Sequence, residues 1–186
     1  GDDTAKRMGR WSLNPLHHVD LVGTLLVPGL LLLMGSFLPG GGFIFGWAKP
    51  VPVSWERLHN SRRDIALVAF AGPAANLLMA LAWAVLIRLV VWLQADFITA
   101  PLGYMGLAGI AINVVLAALN LLPLPPLDGG RIMTSLLPPH LATQFAQIEP
   151  YGFYILLALV ATNILSFLLA LPVSLLQRLF IAIAGV

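Results

Sequence analysis

Four long apolar runs, separated by polar or turn-rich stretches, set the pattern of this chain. Residues 21–38, LVGTLLVPGLLLLMGSFL, carry no charge. The run at 65–93 is interrupted only by Asn76, Arg88 and the GPAAN stretch at 72–76. The run at 103–122 carries Asn113 and Asn120, and the run at 151–176 holds Asn163. Uncharged runs of about 20 residues are long enough to cross a bilayer as helices. A helix over 65–93 would be about 43 Å long, more than the roughly 30 Å hydrocarbon core, so Arg88 is expected to snorkel at the far interface. Pro28 removes a backbone donor in the first run, which predicts a kink there. Residues 21–38 therefore read as a span or a re-entrant helix. The pattern predicts an all-α polytopic membrane protein with about four transmembrane or re-entrant helices.

The stretches between the runs add detail. Residues 1–20 are polar, with a turn at Asn14-Pro15. The longest polar stretch, 39–64, opens with PGGG, continues as FIFGWAKPVPVSW and ends in a basic run. Alternation over Trp47–Val53 predicts extended backbone, and Pro50 and Pro52 restrict it to an edge strand or extended loop. A short extended segment near 43–53 is thus expected. After the third run comes NLLPLPPLDGG at 120–130, then a short amphipathic stretch to Leu137 stopped by Pro138-Pro139. A further apolar segment begins after Arg178.

Composition agrees with the pattern. Hydrophobic residues make up 59% of the 186 positions and charged residues 10%, against about 25% charged in a soluble domain. Ten basic and eight acidic residues give a net charge of +2, too small and scattered for a nucleic-acid partner. Cysteine is absent, which excludes disulfides, thiolate metal sites and a cysteine nucleophile. Lys49, Arg57, Arg62 and Arg63 place loop 39–64 on the cytoplasmic side, and loop 94–102 has no basic residue. Asp128 then falls near the cytoplasmic face. Lys6, Arg7 and Arg10 conflict with this if 21–38 spans; either that segment is re-entrant or Asp2, Asp3 and Asp20 offset their charge.

Asp128 is one of only eight acids and sits beside an apolar run. It reads either as a helix cap, since Asp accepts N–H bonds at a helix start, or as a metal ligand or proton carrier. Asn76 and Asn120 read as interhelical hydrogen-bonding groups or as groups that orient a substrate backbone. GPAAN supplies small residues for close helix approach. His17, His18, His59 and His140 form no H-E-x-x-H pair. His17 and His18 are adjacent, so on a helix they would diverge by about 100°. Glycines 40–42 are not followed by Gly-Lys-Ser/Thr, so no phosphate loop is present. No nucleophile elbow is present either.

Five stretches in order resemble the site-2 protease family of intramembrane zinc metalloproteases. They are NPLHHVD (14–20), GT (23–24), FGWAKPVPV (45–53), GPAAN (72–76) and NLLPLPPLDGGRI (120–132). The resemblance covers most of residues 1–137. It implies a single membrane-embedded peptidase domain over 1–186, with Asp128 as a Zn2+ ligand and Asn120 as the catalytic polar residue that binds the scissile peptide or its oxyanion. Asn76, Trp47, Lys49, Val51 and Val53 are implied substrate-binding residues, the last four through strand addition to the extended segment. If the helix held through the prolines, Asn120 and Asp128 would lie on one side, a little over two turns apart. The family's H-E-x-x-H is missing. GDDTAKRMGR resembles a loop that follows that motif in the family. The expectation is an N-terminally truncated chain whose two His ligands and general-base Glu lie upstream, inactive by itself. The resemblance further implies transmembrane protein substrates, a lipid bilayer partner and a bacterial inner membrane location. The alternative is a non-catalytic member of the fold, or a transporter segment using Asp128 as a proton site.

Overall fold

The computed structural model describes residues 4–9, 12, 14–35, 46, 48, 49, 61–94 and 96–186. Among these the regular structure is entirely helical. Contacts divide the chain into two compact units, residues 1–61 and 62–186.

In the first unit, α1 covers Thr4–Arg7 and a 3-10 turn covers Pro15–His18. Asn14 caps that turn by accepting the Leu16 N–H, and Pro15 supplies the preset first position. His18 Nε2 bonds the Ser12 carbonyl at 2.9 Å. A π-helical turn over Leu21–Leu26 runs into α2, Val27–Gly35. Asp20 caps it, with Oδ1 accepting from Val22 and Gly23, while the Asp20 N–H donates to Thr24 Oγ1. Pro28 lies just past the π turn, where its missing N–H is absorbed by the change in helical repeat. The 15 helical residues from Leu21 to Gly35 extend about 22 Å, short of the roughly 30 Å hydrocarbon core. Of the stretch expected to be extended, Gly46, Ala48 and Lys49 are described, and none is helical. Gly46 packs so closely that a Cβ would lie 2.6 Å from the Gly23 carbonyl oxygen and 2.7 Å from Pro28. The Lys49 N–H donates to the His18 carbonyl at 2.9 Å. The three sequence stretches 14–20, 23–24 and 45–53 therefore meet.

The second unit holds three helices long and apolar enough to cross a membrane: Arg62–Trp92, Thr99–Asn120 and Ile164–Ala184. They lie in α3 (Ser61–Trp92), α4 (Asp96–Asn120) and α8 (Ile164–Ala184). Three shorter helices intervene: α5 (Asp128–Leu136), α6 (Pro139–Ala146) and α7 (Glu149–Ala161). The apolar run at 151–176 is thus not one helix. It breaks at Thr162–Asn163, where Asn163 takes φ 59°, a left-handed conformation that Asn tolerates better than most residues. The segment after Arg178 is the continuation of α8.

The core joins the three long helices. Ala80, Ala84 and Ile87 of α3 meet Ile110 and Val114 of α4 and Phe180 and Ala184 of α8. Small residues set the approach: Gly106 receives Ile87, and Gly109 receives the indole of Trp83. Lipid gives no hydrophobic drive between helices, so this packing carries the association. At most a third of each span is buried, and Leu78, Trp92 and Phe167 are more than 60% exposed. Arg88 Nη1 donates to the Ile183 carbonyl at 3.2 Å, satisfying an acceptor left open at the end of α8. The C-terminal ends of α3 and α8 therefore lie together.

Gly109→Leu should overpack the Trp83 contact and destabilise the protein by about 1–3 kcal/mol. A thermal melt in detergent checks this, and adding Trp83→Ala should restore part of the loss.

Candidate functional site

Asn120 ends α4, and Asp128 begins α5. The seven residues between them reverse the chain through three prolines, Pro123, Pro125 and Pro126, so no helical register links the two polar residues. That replaces the expected arrangement on one helical side; Pro125 and Pro126 cannot donate the helix hydrogen bonds it needs. The proximity is built by backbone packing instead. A Cβ on Gly129 would run into the carbonyl oxygens of Leu121 and Leu122. One on Gly130 would run into the Leu124–Pro125 backbone. Both glycines are buried, and only residues without a side chain permit that contact. The residue after Asn120 is thereby pressed against the residue after Asp128.

Asp128 is the first helical residue rather than the cap; Leu127 holds the cap position. Among the described residues the Asp128 carboxylate accepts no hydrogen bond. It is half-buried and faces α3: a Cβ on Gly72 would lie 2.9 Å from its Oδ2. The GPAAN and LDGG stretches therefore meet at Gly72 and Asp128. Burial raises the Asp128 carboxyl above its ordinary value, and the charge of Arg131 works against that rise.

The meeting point has a fixed place along α3. From Trp92 back to Gly72 is 20 residues, about 30 Å of helix, equal to the hydrocarbon thickness. Gly72 lies ten residues inside the Arg62–Trp92 span, on the Arg62 side, and Trp92, at the far end, is an exposed aromatic. Asn76 lies one turn from Gly72 toward Trp92.

The asparagines in the spans differ. Asn113 is buried, and its Nδ2 donates to the Gly109 carbonyl at 2.8 Å, which is a structural role. Asn76 and Asn120 are half-buried, and their amides make no hydrogen bond among the described residues. Lys49 is exposed and belongs to the first unit. Trp47, Val51 and Val53 lie outside the described residues. Among the described residues no group of three His, Cys, Asp or Glu could hold a metal ion. His18 is engaged with the Ser12 carbonyl.

Two features escaped the sequence reading. Gly72 was read as helix packing, yet it abuts the carboxylate. Gly152, on α7, is buried against the Pro125 carbonyl and the Pro126 ring. An isolated glycine amid aromatic residues gives no sequence signal for such a contact.

The comparisons with known proteins bear on the same region. The family model Peptidase family M50 matches residues 93–163, which include Asn120, Asp128 and Gly152. "Putative zinc metalloprotease YwhC" of Bacillus subtilis (strain 168) is 39% identical over 173 residues, covering 91% of this chain and 73% of that protein. "Putative zinc metalloprotease Rip2" of Mycolicibacterium smegmatis (strain ATCC 700084 / mc(2)155) is 29% identical over 167 residues, covering 89% of this chain and 59% of that protein. No solved structure matches. Identity at that level along nearly the whole chain, joined to a family match over the Asp128 turn, shows that the chain belongs to peptidase family M50, the site-2-type metalloproteases.

Proposed function

We propose that this chain, as one membrane-embedded peptidase domain, supplies the aspartate side of a zinc site that cleaves transmembrane protein substrates at the membrane boundary. The observation that carries the reading is Asp128: a half-buried carboxylate with no hydrogen bond among the described residues, set against Gly72 of the long apolar helix α3. A carboxylate serving only the fold would be expected to hold nearby N–H groups.

The residues fit one bond to zinc and not a whole site. Asp128 has the right donor type and open lone pairs. A catalytic zinc takes three protein ligands and keeps one open position, and the 186 residues contain no H-E-x-x-H. Bound zinc would supply a Lewis acid and a water whose pKa is lowered to about 7. Asp128 holds the ion. Asn120, whose amide makes no hydrogen bond among the described residues, orients the scissile carbonyl from the end of α4, and Asn76 lines the approach along α3. Lys49, with Trp47, Val51 and Val53, pairs with an unwound substrate segment. The Lys49 N–H is already bonded to His18, so the substrate uses the other edge. Arg62 and Arg63 at the start of α3 support a site facing the cytoplasm across a bacterial inner membrane.

In the full-length protein, Asp128→Asn should lower zinc affinity by more than about 100-fold, beyond the 10–100-fold of an outer-shell change, and abolish cleavage. Elemental analysis and a transmembrane-substrate assay check this; unchanged zinc content would sink the ligand role.

A second outcome separates ligand from cap. A raised carboxyl pKa means that the folded state binds the proton more tightly than the unfolded one. The group's stabilisation is full below the unfolded pKa and is lost as pH rises through the folded value. At pH 7, with chelator, Asp128→Asn should therefore melt no lower than wild type, whereas losing a cap would cost about 0.5–2 kcal/mol.

A further inference from the structure

Among the described residues the Asp128 carboxylate accepts no hydrogen bond, so its position there depends on the backbone that carries it. Three glycines form the bed of the Leu121–Leu127 turn. Gly129 and Gly130 lie within the same motif. Gly152 comes from a different helix, 22 residues after Gly130, and closes the turn from outside.

The contact is backbone against backbone. A Cβ on Gly152 would overlap the Pro125 carbonyl oxygen, lie 2.6 Å from the Pro125 carbonyl carbon and 2.7 Å from Cδ of Pro126. Neither a carbonyl nor a proline ring can swing aside as a flexible side chain does. Gly152 is also the buried residue of α7; its neighbours Tyr151, Phe153 and Tyr154 are all exposed, each above 60%. The helix thus turns its one position without a side chain toward the Asp128 turn.

A second link lies on the same face of α7. Glu149, three residues before Gly152, stands one helical turn away. Its Oε1 is 3.8 Å from Nη2 of Arg131, on the first turn of α5 and three residues after Asp128. Arg131 is also the cation that acts on the Asp128 carboxyl. Glu149 therefore draws the guanidinium toward α7, while Gly152 sets how near α7 can come.

We infer that Gly152 and Glu149 are positioning residues: the start of α7 clamps the Pro125–Pro126 turn and so fixes where Asp128 presents its carboxylate to the metal. The inference rests on the metal-ligand reading of Asp128, and the experiment keeps the two apart. Zinc affinity is measured by competition with a chromophoric chelator on the full-length protein in detergent, well below its melting temperature. The variants are Asp128→Asn, Gly152→Ala, their double mutant, Glu149→Lys and Phe153→Ala.

Gly152→Ala should weaken zinc about 10- to 100-fold, as the loss of a supporting contact does. Glu149→Lys should weaken it about fivefold, the size of an exposed ion pair near 1 kcal/mol. Phe153→Ala should leave affinity unchanged. In the Asp128→Asn background, Gly152→Ala should cost nothing further, because it acts through that carboxylate. A merely structural role for Gly152 would lower the melting temperature and leave zinc affinity intact. If Asp128→Asn weakens zinc while Gly152→Ala in a folded protein does not, the clamp is wrong and the ligand reading stands. If Asp128→Asn itself changes nothing, the ligand reading falls first. Should Gly152→Ala fail to fold, unchanged affinity in Glu149→Lys overturns the clamp. An equal loss in Phe153→Ala would do the same.

Discussion

Backbone lying directly on backbone is the constraint that the second unit depends on. The turn after α4 has no room for side chains on its inner surface, because Leu121, Leu122, Leu124 and Pro125 present main-chain atoms to Gly129, Gly130 and Gly152. Gly72 of α3 instead abuts the end of the Asp128 side chain. A single Cβ at Gly129, Gly130 or Gly152 enters space already filled by main chain. Glycine is poor in helices, by about 1 kcal/mol relative to alanine, yet Gly72, Gly129, Gly130 and Gly152 are all helical. The helices accept that loss where they must touch a turn or a carboxylate.

The same economy appears between the spans. Gly106 and Gly109 admit Ile87 and Trp83, and alanines line the facing stripe of α3. Bulk is contributed by one helix at a time. The site then sits at one end of this bundle, where α4 finishes and the short helices begin. Rigid spans fix its level, and the short helices fix its shape.

Much of the fold was legible in the hydrophobic pattern. The runs at 65–93 and 103–122 became α3 and α4 with ends shifted by a few residues, because their apolar character changes abruptly at polar loops. The break at Thr162–Asn163 was not legible: the apolar composition continues through it, and only the backbone angle of Asn163 marks the end of α7. For the site, Asp128 was visible as an acid in an oily neighbourhood, but local chemistry alone allowed a cap. The structure shows Leu127 at the cap position and no hydrogen bond to the carboxylate among the described residues. The supposed helical register between Asn120 and Asp128 failed because prolines force a reversal there. Gly152 could not be found by any periodicity, since its role depends on a contact between segments distant in the chain.

The length of α3 has a consequence for the lipid. The helix continues about 16 Å beyond Gly72 toward Ser61, on the side that carries Arg62 and Arg63. Its apolar part beyond Gly72, with Leu67, Val68 and Phe70 exposed, has no polar marker to stop the bilayer at one height. The height at which the headgroups settle along this stretch sets how much water reaches the carboxylate beside Gly72. The polarity around Asp128 is therefore shared between the protein and the thickness of the membrane that holds it.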